Sequence, residues 1–273
     1  MKINQLILIY LGAIAGAELV IALVAPVWGI VFYFFIFFAL IFNSATVKSK
    51  LSGGLLSASN DQEIVLNNLP SSASRSDYMF FVALALVPLI RIVSLSMPLA
   101  DFSVPYRYII IAVPVAVGIL VVASNLHLRP RDIGMTVGSM PLQILVGVTG
   151  IAFGLVDYLI LKPEPLISSL GWREIIVPTI ILLVTTGFVE ELAFRGVMQN
   201  ASTKLLANWG WVYIAVLYAV LQIGQLSALH FVFSLGIALL FGWTVKRTGS
   251  ILGVSLGHGL INVGLYQIFP FVL

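Results

Sequence analysis

Two carboxylates and a guanidinium lie near the middle of one hydrophobic stretch of this chain. Glu190 and Glu191 are adjacent, and Arg195 follows four residues after the second of them. Ionisable groups at this depth of a bilayer-spanning helix are energetically costly and point to a functional site. Further along, His258 and Asn262 are four residues apart in another apolar run, which places an imidazole and an amide on one helical face. The two segments together predict a buried polar site inside a membrane protein.

The chain as a whole is far more apolar than a soluble domain. Hydrophobic residues make up 60% of its 273 residues, charged residues make up 9%, and the mean hydropathy is +1.09. In a soluble domain roughly a quarter of the residues are charged. At about 20 apolar residues per crossing, this length predicts an all-α, polytopic integral membrane bundle of about eight or nine transmembrane helices.

The composition also excludes several classes of function. The chain has no cysteine, which rules out disulfides, thiolate catalysis and cysteine metal sites, so any nucleophile or ligand must be oxygen or nitrogen. A formal charge of +3 and a pI near 9.2 would suit nucleic-acid binding in a soluble protein. Here the basic residues lie mostly in loops, where they determine membrane topology, and no nucleic-acid partner is expected.

Nine apolar runs are candidate membrane spans. The first begins close to Met1 and is too long for the apolar core of a signal peptide, so it is interpreted as a spanning helix. The seventh run is short enough to be re-entrant. The runs are about 5–25, 27–43, 78–98, 107–124, 140–161, 175–198, 210–224, 228–245 and 250–271.

The loops between these runs differ in basic residues. On the side of the N-terminus lie nine of them: Lys2, Lys48, Lys50, Arg75, Arg129, Arg131, Lys204, Lys246 and Arg247. The opposite side has three: Arg107, Lys162 and Arg173. Because loops rich in Lys and Arg stay in the cytoplasm, the sequence predicts a multi-pass protein of the cell membrane with a cytoplasmic N-terminus.

The two adjacent carboxylates cannot have the same surroundings in a helix, since they point about 100° apart. Glu191 and Arg195 have the spacing and order that favour an ion pair, which leaves Glu190 as the free carboxylate. A free carboxylate in apolar surroundings suits a general base that activates water. An Arg–Glu network that only locks helices together is the alternative interpretation of the same spacing.

Depth in the membrane connects the two polar segments. Glu190 and His258 each lie about eight residues, or roughly 12 Å, from the cytoplasmic ends of their predicted helices. The two side chains are therefore expected to meet. The Asn262 amide is a suitable donor to the oxyanion of a scissile carbonyl, although Asn in a membrane helix often only links helices. A base, an imidazole and an oxyanion donor at one depth make peptide hydrolysis a coherent expectation.

This pattern resembles the type II CAAX prenyl endopeptidase and bacteriocin-processing (CPBP) family of intramembrane proteases. The first motif of that family, Glu-Glu-x-x-x-Arg, is matched by Glu190, Glu191 and Arg195. Its last motif, His-x-x-x-Asn/Asp, is matched by His258 and Asn262. The resemblance implies that the first Glu and a central His activate a water, with or without a metal, while the last His and Asn stabilise the oxyanion.

The resemblance covers about residues 125–265, and the segments 131–134 and 247–250 are similar to short turns of the family. It implies a CPBP-like protease domain over residues 125–273, preceded by N-terminal transmembrane helices over residues 1–124. Within the N-terminal part, residues 44–77 are polar and lack the periodicity of a packed element, so a flexible loop is expected there.

The middle motif of the family, Phe-x-x-x-His, is not matched. The aligned segment begins at Tyr218 and ends at Gln222, so a glutamine stands where the second activating imidazole is expected. His230 follows eight residues later and is the alternative catalytic residue. Its predicted position at the outer end of the eighth span disfavours it, because Gln222 lies about 18 Å along the seventh span from the cytoplasmic start.

Three further charged residues, Glu18, Arg91 and Asp157, fall inside predicted spans. Pairing between helices is the expected explanation, and Arg91 with Asp157 is the first pair to consider. A transporter would use such charges as an ion path, but the discontinuous inverted repeat typical of that class is not evident in the sequence.

The sequence thus predicts an intramembrane endopeptidase whose cavity opens toward the cytoplasm and whose partners are membrane lipid and a membrane-associated peptide, prenylated or not. The expected catalytic residues are Glu190, Glu191, Arg195, Gln222, His258 and Asn262. If a cofactor is present, a divalent metal such as zinc is expected, with Glu190, His230 and His258 as candidate ligands. Against a metal, the residue at the middle motif is Gln222, and Gln is a poor zinc ligand. The alternative is a proteolytically inactive family member that serves as a membrane scaffold or immunity protein, because the middle-motif His is replaced.

Overall fold

Helices account for every regular element of residues 3–58 and 72–273, the part of the chain that this computed structural model describes. The α-helices are α1 (Ile3–Leu23), α2 (Pro26–Ala58), α3 (Ser72–Leu84), α4 (Leu86–Ser96), α5 (Val104–Asn125), α6 (Met140–Leu161), α7 (Trp172–Leu182), α8 (Gln199–Leu206), α9 (Gly210–Val220), α10 (Ala228–Thr248), α11 (Leu252–Val263) and α12 (Phe269–Val272). Short 3-10 and π-helical segments join several of them. The all-α class predicted from the composition is confirmed.

Seven helical segments among the described residues are long and apolar enough to cross a membrane. They are Gln5–Leu23, Pro26–Leu51, Arg75–Ser96, Val104–Asn125, Met140–Leu161, Trp172–Gln225 and Ala228–Thr248. The 54-residue segment Trp172–Gln225 contains two of the nine predicted spans, because short helical turns connect α7, α8 and α9. The remaining predicted span, 250–271, corresponds to α11, a π-helical turn and α12. The protein is a multi-pass helical membrane protein.

Several loops predicted to share one side of the membrane meet at one end of the bundle. The Asn200 amide donates to the carbonyl of Asp132 at 2.7 Å, and the Ser250 hydroxyl donates to the carbonyl of Thr136 at 2.5 Å. These contacts join the segment after α5 to the start of α8 and to the turn between α10 and α11. The basic residues of these loops therefore lie at a common end, as the topology predicted. Assignment of that end to the cytoplasm stays a prediction.

Both ends of the segment expected to be a loop, residues 44–77, are helical. Helix α2 continues to Ala58 and α3 begins at Ser72. A helix that starts in an apolar span can continue past the membrane surface, because Ala, Lys and Leu favour helix and propensity is only a weak influence at the Ser and Gly residues there. Residues 59–71 lie outside the described residues.

A buried carboxylate anchors the N-terminal helices. The Glu18 side chain is 0% exposed and binds the Arg91 guanidinium through two contacts of 2.6 Å. Tyr33 donates a hydrogen bond of 2.5 Å to the same carboxylate. The predicted pairing of Arg91 with Asp157 is therefore wrong. Sequence spacing cannot show which side chains meet, and here the Arg91 side chain of α4 reaches Glu18 on α1 rather than Asp157 on α6.

Replacing Arg91 with Ala would leave the Glu18 carboxylate buried, with Tyr33 as its remaining hydrogen-bond donor in the described structure. We expect a loss of about 3 kcal/mol in the free energy of unfolding, because an uncompensated buried charge is strongly destabilising. Thermal unfolding of the detergent-solubilised protein measures the loss. Arg173→Ala is the control, since Arg173 is exposed and stacks on Trp172. Equal melting temperatures for both variants would contradict the assigned role of the Glu18–Arg91 pair.

Close backbone contacts hold α11 in the centre of the C-terminal part. A Cβ atom added to Gly150 on α6 would collide with the backbone of Gly257 on α11. One added to Gly187, in the segment after α7, would lie 2.6 Å from the backbone oxygen of Ser255. Glycine at these positions lets three helical segments approach closely, as is common in membrane bundles. This packing places the segment that carries the histidine motif against the segment that carries the two glutamates.

Candidate active site

The helix that carries the two glutamates is widened on both sides of them. After α7 the chain forms a π-helix over Leu183–Val189 and a second one over Leu192–Met198. The hydroxyls of Thr185 and Thr186 each donate at 2.7 Å to the carbonyl four residues earlier, an interaction that bends helices. Such π-helical turns occur frequently at functional sites, because they re-aim side chains that a regular helix would direct elsewhere.

The two carboxylates have the different surroundings expected from their 100° separation. The Glu191 side chain is 1% exposed and lies among other helices. The Glu190 side chain is 38% exposed and lines an internal cavity. Glu190 is thus accessible to water, whereas Glu191 is buried among protein side chains.

Glu191 links Arg195 to His258. Its Oε1 atom accepts from the Arg195 guanidinium at 3.0 Å, which is the ion pair predicted from the i,i+4 spacing. The same oxygen lies 2.8 Å from Nδ1 of His258. Because a carboxylate can only accept, Nδ1 carries the proton and the ring is fixed in one orientation. The sequence had not linked Glu191 to His258.

The second ring nitrogen of His258 faces the cavity. Nε2 lies 3.9 Å from Oε2 of Glu190 and 3.3 Å from the hydroxyl of Tyr218. The ring of Tyr218 also stacks over the Arg195 guanidinium, 4.7 Å from the ring centroid. The aromatic ring therefore bridges the cation and the imidazole, and the expected meeting of Glu190 with His258 is present in the structure.

Asn262 lies one helical turn after His258 on α11. Its amide nitrogen donates to the hydroxyl of Thr186 at 2.9 Å. Thr186 in turn donates to the carbonyl of Leu182, so its hydroxyl is fully oriented. This chain of hydrogen bonds fixes the Asn262 amide and leaves its second N–H available.

A cavity of about 180 Å³ joins these groups. It is lined by every residue that the sequence named as a candidate: Glu190, Glu191, Arg195, Gln222, His230, His258 and Asn262. A second cavity of about 290 Å³ shares Glu190 and Gln222 with the first and is otherwise lined mainly by apolar side chains. The carboxylate of Glu190 therefore stands where a small polar cavity meets a larger apolar one.

His230 and Gln222 both reach the polar cavity, although they had been expected at different depths. Gln222 follows the end of α9, and His230 lies in the first turn of α10, after the N-cap Ser227. The His230 imidazole turns inward, and its Nδ1 atom lies 2.8 Å from Oδ1 of Asp157 on α6. The cavity thus contains a second acid–imidazole pair, which the sequence did not pair.

A divalent metal, for which Glu190, His230 and His258 were candidate ligands, can be tested against these contacts. Within residues 3–58 and 72–273, no three His, Cys, Asp or Glu side chains are grouped so that they could hold a metal ion. The donor set of this cavity therefore does not fit a zinc site, which takes at least three protein ligands.

Among the residues of the site that were missed as candidates in the sequence are Asp157, Thr186, Tyr218 and Ser234. Thr186 precedes Glu190 by one helical turn, and Ser234 follows His230 by one turn. Helical spacing from the named candidates was the available signal, since residues four apart share a face. Tyr218 offered no such signal for its contact with His258, because the two belong to helices that are distant in sequence.

The fold and this site together define a polytopic helical membrane protein with acid–imidazole pairs inside the bundle. Residues 172–264 match the family model described as Type II CAAX prenyl endopeptidase Rce1-like. This part of the chain is accordingly a domain of that family, as the two motifs had suggested. The family model matches from residue 172, whereas the resemblance seen in the sequence began at about residue 125. No curated protein and no solved structure matches the chain.

Proposed function

We propose that this protein is an intramembrane endopeptidase that hydrolyses a peptide bond of a membrane-associated peptide. The observation that carries the proposal is the approach of Glu190 and His258 to 3.9 Å at the wall of a shared polar cavity. The family domain over residues 172–264 supports the same class of activity. We extend the protease domain to residues 125–273, because α6 packs closely against α11.

Glu190 is the proposed general base. A cavity of about 180 Å³ has room for water, which needs at least about 10–15 Å³ and polar partners. The partly exposed carboxylate takes a proton from a water as that water attacks the scissile carbonyl. A positioned general base typically contributes about 10²–10⁴-fold to the rate.

His258 and Asn262 are the proposed stabilisers of the oxyanion. Glu191 holds Nδ1 of His258, so that a protonated ring presents its Nε2–H to the cavity. The Asn262 amide, fixed by Thr186, offers a second N–H. Oriented donors of this kind lower the barrier because they need no rearrangement as charge develops. Arg195 is proposed to position Glu191, and Gln222, which lines the same cavity, to orient the attacking water.

The second cavity is the proposed binding site for the peptide. Its volume of about 290 Å³ and its apolar lining suit aliphatic side chains next to the scissile bond. It meets the catalytic cavity at Glu190, so a peptide seated there would present its backbone to the base. The family description names CAAX prenyl substrates, and we propose a lipid-anchored peptide, prenylated or not, that enters from the cytoplasmic side.

Cleavage of a reporter tests this proposal. The purified protein is reconstituted in liposomes with a peptide carrying a C-terminal lipid anchor motif, and the products are analysed by mass spectrometry in water enriched in ¹⁸O. We expect a new carboxyl terminus that contains one ¹⁸O atom, because the attacking oxygen comes from water. A fully intact peptide after prolonged incubation would contradict the proposed activity.

The replacement of the middle-motif histidine supports a second candidate function. Gln222 lines both cavities but cannot accept a proton as an imidazole does. An inactive family member would use the same cavities to hold a partner segment as a scaffold or immunity protein. In the liposome assay such a protein would bind the reporter and leave it uncut, and Gln222→His would be the variant that gains cleavage.

A further inference from the structure

Ser234, His230 and Asp157 form a continuous chain of contacts in the polar cavity. Oδ1 of Asp157 lies 2.8 Å from Nδ1 of His230, and Nε2 of His230 lies 3.3 Å from the hydroxyl oxygen of Ser234. All three side chains are buried from bulk solvent, and all three line the cavity. A carboxylate accepts from Nδ1–H, which leaves Nε2 as the acceptor for the serine proton.

The orientation of the Ser234 hydroxyl is unusual for this protein. Other helical hydroxyls, including Thr185, Thr186 and Thr244, donate to the backbone carbonyl four residues earlier. Ser234 instead contacts the imidazole of the residue four positions earlier. Asp157 on α6 lies 2.8 Å from Nδ1 of the His230 ring, and the other ring nitrogen faces Ser234 on the same helix.

We propose that Ser234 is a nucleophile activated by His230 and Asp157, and that the cavity therefore has a second hydrolytic activity, toward carboxylic esters. The order of contacts is the one in which a serine, an imidazole and a carboxylate act in nucleophilic hydrolysis on unrelated folds. The imidazole is within reach of the hydroxyl, and a third group orients the base, as this type of catalysis requires. This inference goes beyond peptide hydrolysis by Glu190 and does not depend on it.

The chemistry of the step balances with water as the co-substrate. The Ser234 oxygen attacks the ester carbonyl as its proton passes to Nε2 of His230. The tetrahedral adduct collapses, the carbon–oxygen bond of the ester breaks, and the leaving alcohol takes that proton. Water then gives a proton to His230 and attacks the acyl-serine, which releases a carboxylic acid and restores the hydroxyl. Asp157 takes no part in these proton transfers and stabilises the imidazolium.

The walls of the cavity indicate the substrate class. Ile237 and Phe241 follow Ser234 by three and seven residues on α10, so all three share one face of the helix, and all line the cavity. An apolar acyl chain can pack along this face with its carbonyl at the serine. Asn262 lines the same cavity, and its second N–H is the proposed donor to the oxyanion. Esters with short apolar acyl groups fit a volume of about 180 Å³.

Covalent labelling tests the assignment. The full-length protein in lipid nanodiscs is incubated with an alkyl fluorophosphonate, without any peptide substrate, and the adduct is located by peptide mass spectrometry. We expect one adduct, on Ser234, which is lost in Ser234→Ala and forms at least 100-fold more slowly in Asp157→Asn. Hydrolysis of p-nitrophenyl butyrate should decline in parallel in both variants.

Ser44→Ala is the matched control, because Ser44 is also a buried helical serine but lines neither cavity, and its hydroxyl donates to the carbonyl of Ile41 rather than to an imidazole. Its labelling should equal that of the wild type. Thermal unfolding confirms that each variant is folded before it is compared. The assignment is overturned if folded wild-type protein carries no adduct on Ser234, or if Asp157→Asn labels at the wild-type rate. Neither result bears on cleavage of the reporter peptide, so the two proposals fail separately.

Discussion

Glu190→Gln is expected to lower the rate of reporter cleavage by about 10²–10⁴-fold, the usual contribution of a general base. The amide has nearly the shape of the carboxylate but cannot take a proton from water. The Glu190 side chain is 38% exposed, and its Oε2 atom lies 3.9 Å from Nε2 of His258. The thermal unfolding temperature should therefore change little, while initial rates in the liposome assay fall.

Glu174→Gln is the control for this variant, because Glu174 lies on the same helical segment but is exposed and contacts Ser168 far from the cavity. It should cleave at the wild-type rate. If Glu190→Gln retained wild-type cleavage, Glu190 would not be the base, and the activity would have to be assigned to another group of the cavity.

Arg195→Met is expected to have the largest effect on stability. The substitution keeps most of the apolar stem but leaves the Glu191 carboxylate, which is 1% exposed, without its guanidinium partner. Breaking a buried ion pair from one side costs about 3–5 kcal/mol. Thermal unfolding of the detergent-solubilised protein should show this loss, and Arg247→Met, at an exposed arginine stacked on Trp243, should not.

The double variant Glu191→Leu with Arg195→Met separates stability from function. Replacing both partners of a buried pair with apolar residues is often neutral, so we expect most of the lost stability to return. Reporter cleavage should stay low, since Nδ1 of His258 loses the acceptor that orients the ring. Recovery of both properties in the double variant would show that Glu191 does not position His258.

The parts of the site that the sequence predicted rest on helical geometry. The i,i+4 spacing of Glu191 and Arg195 predicted their ion pair, and equal depth predicted the meeting of Glu190 with His258. The apolar composition predicted the all-α membrane class. These features depend on residues close in sequence or on distance along a helix, both of which can be counted from the sequence.

The parts that could not be predicted depend on which helices are neighbours. Asp157 pairs with His230 rather than with Arg91, because α6 contacts α10 and the Arg91 side chain reaches Glu18 on α1 instead. The π-helical turns around Glu190 also have no signature in the hydrophobic pattern, since apolar residues surround the motif on all faces. His230 reaches the cavity because its ring turns inward, which depth along a helix does not reveal.

Residues from both halves of the chain line the two cavities. Asp157 on α6 and Tyr108 on α5 line the polar cavity, and Arg91 on α4 lines the apolar one, all outside residues 172–264. Grafting the matched residues alone into another scaffold would carry both motifs and lose the enclosure that shields them from lipid. The segment that matches the family model is therefore smaller than the part of the chain that must fold together to form the site.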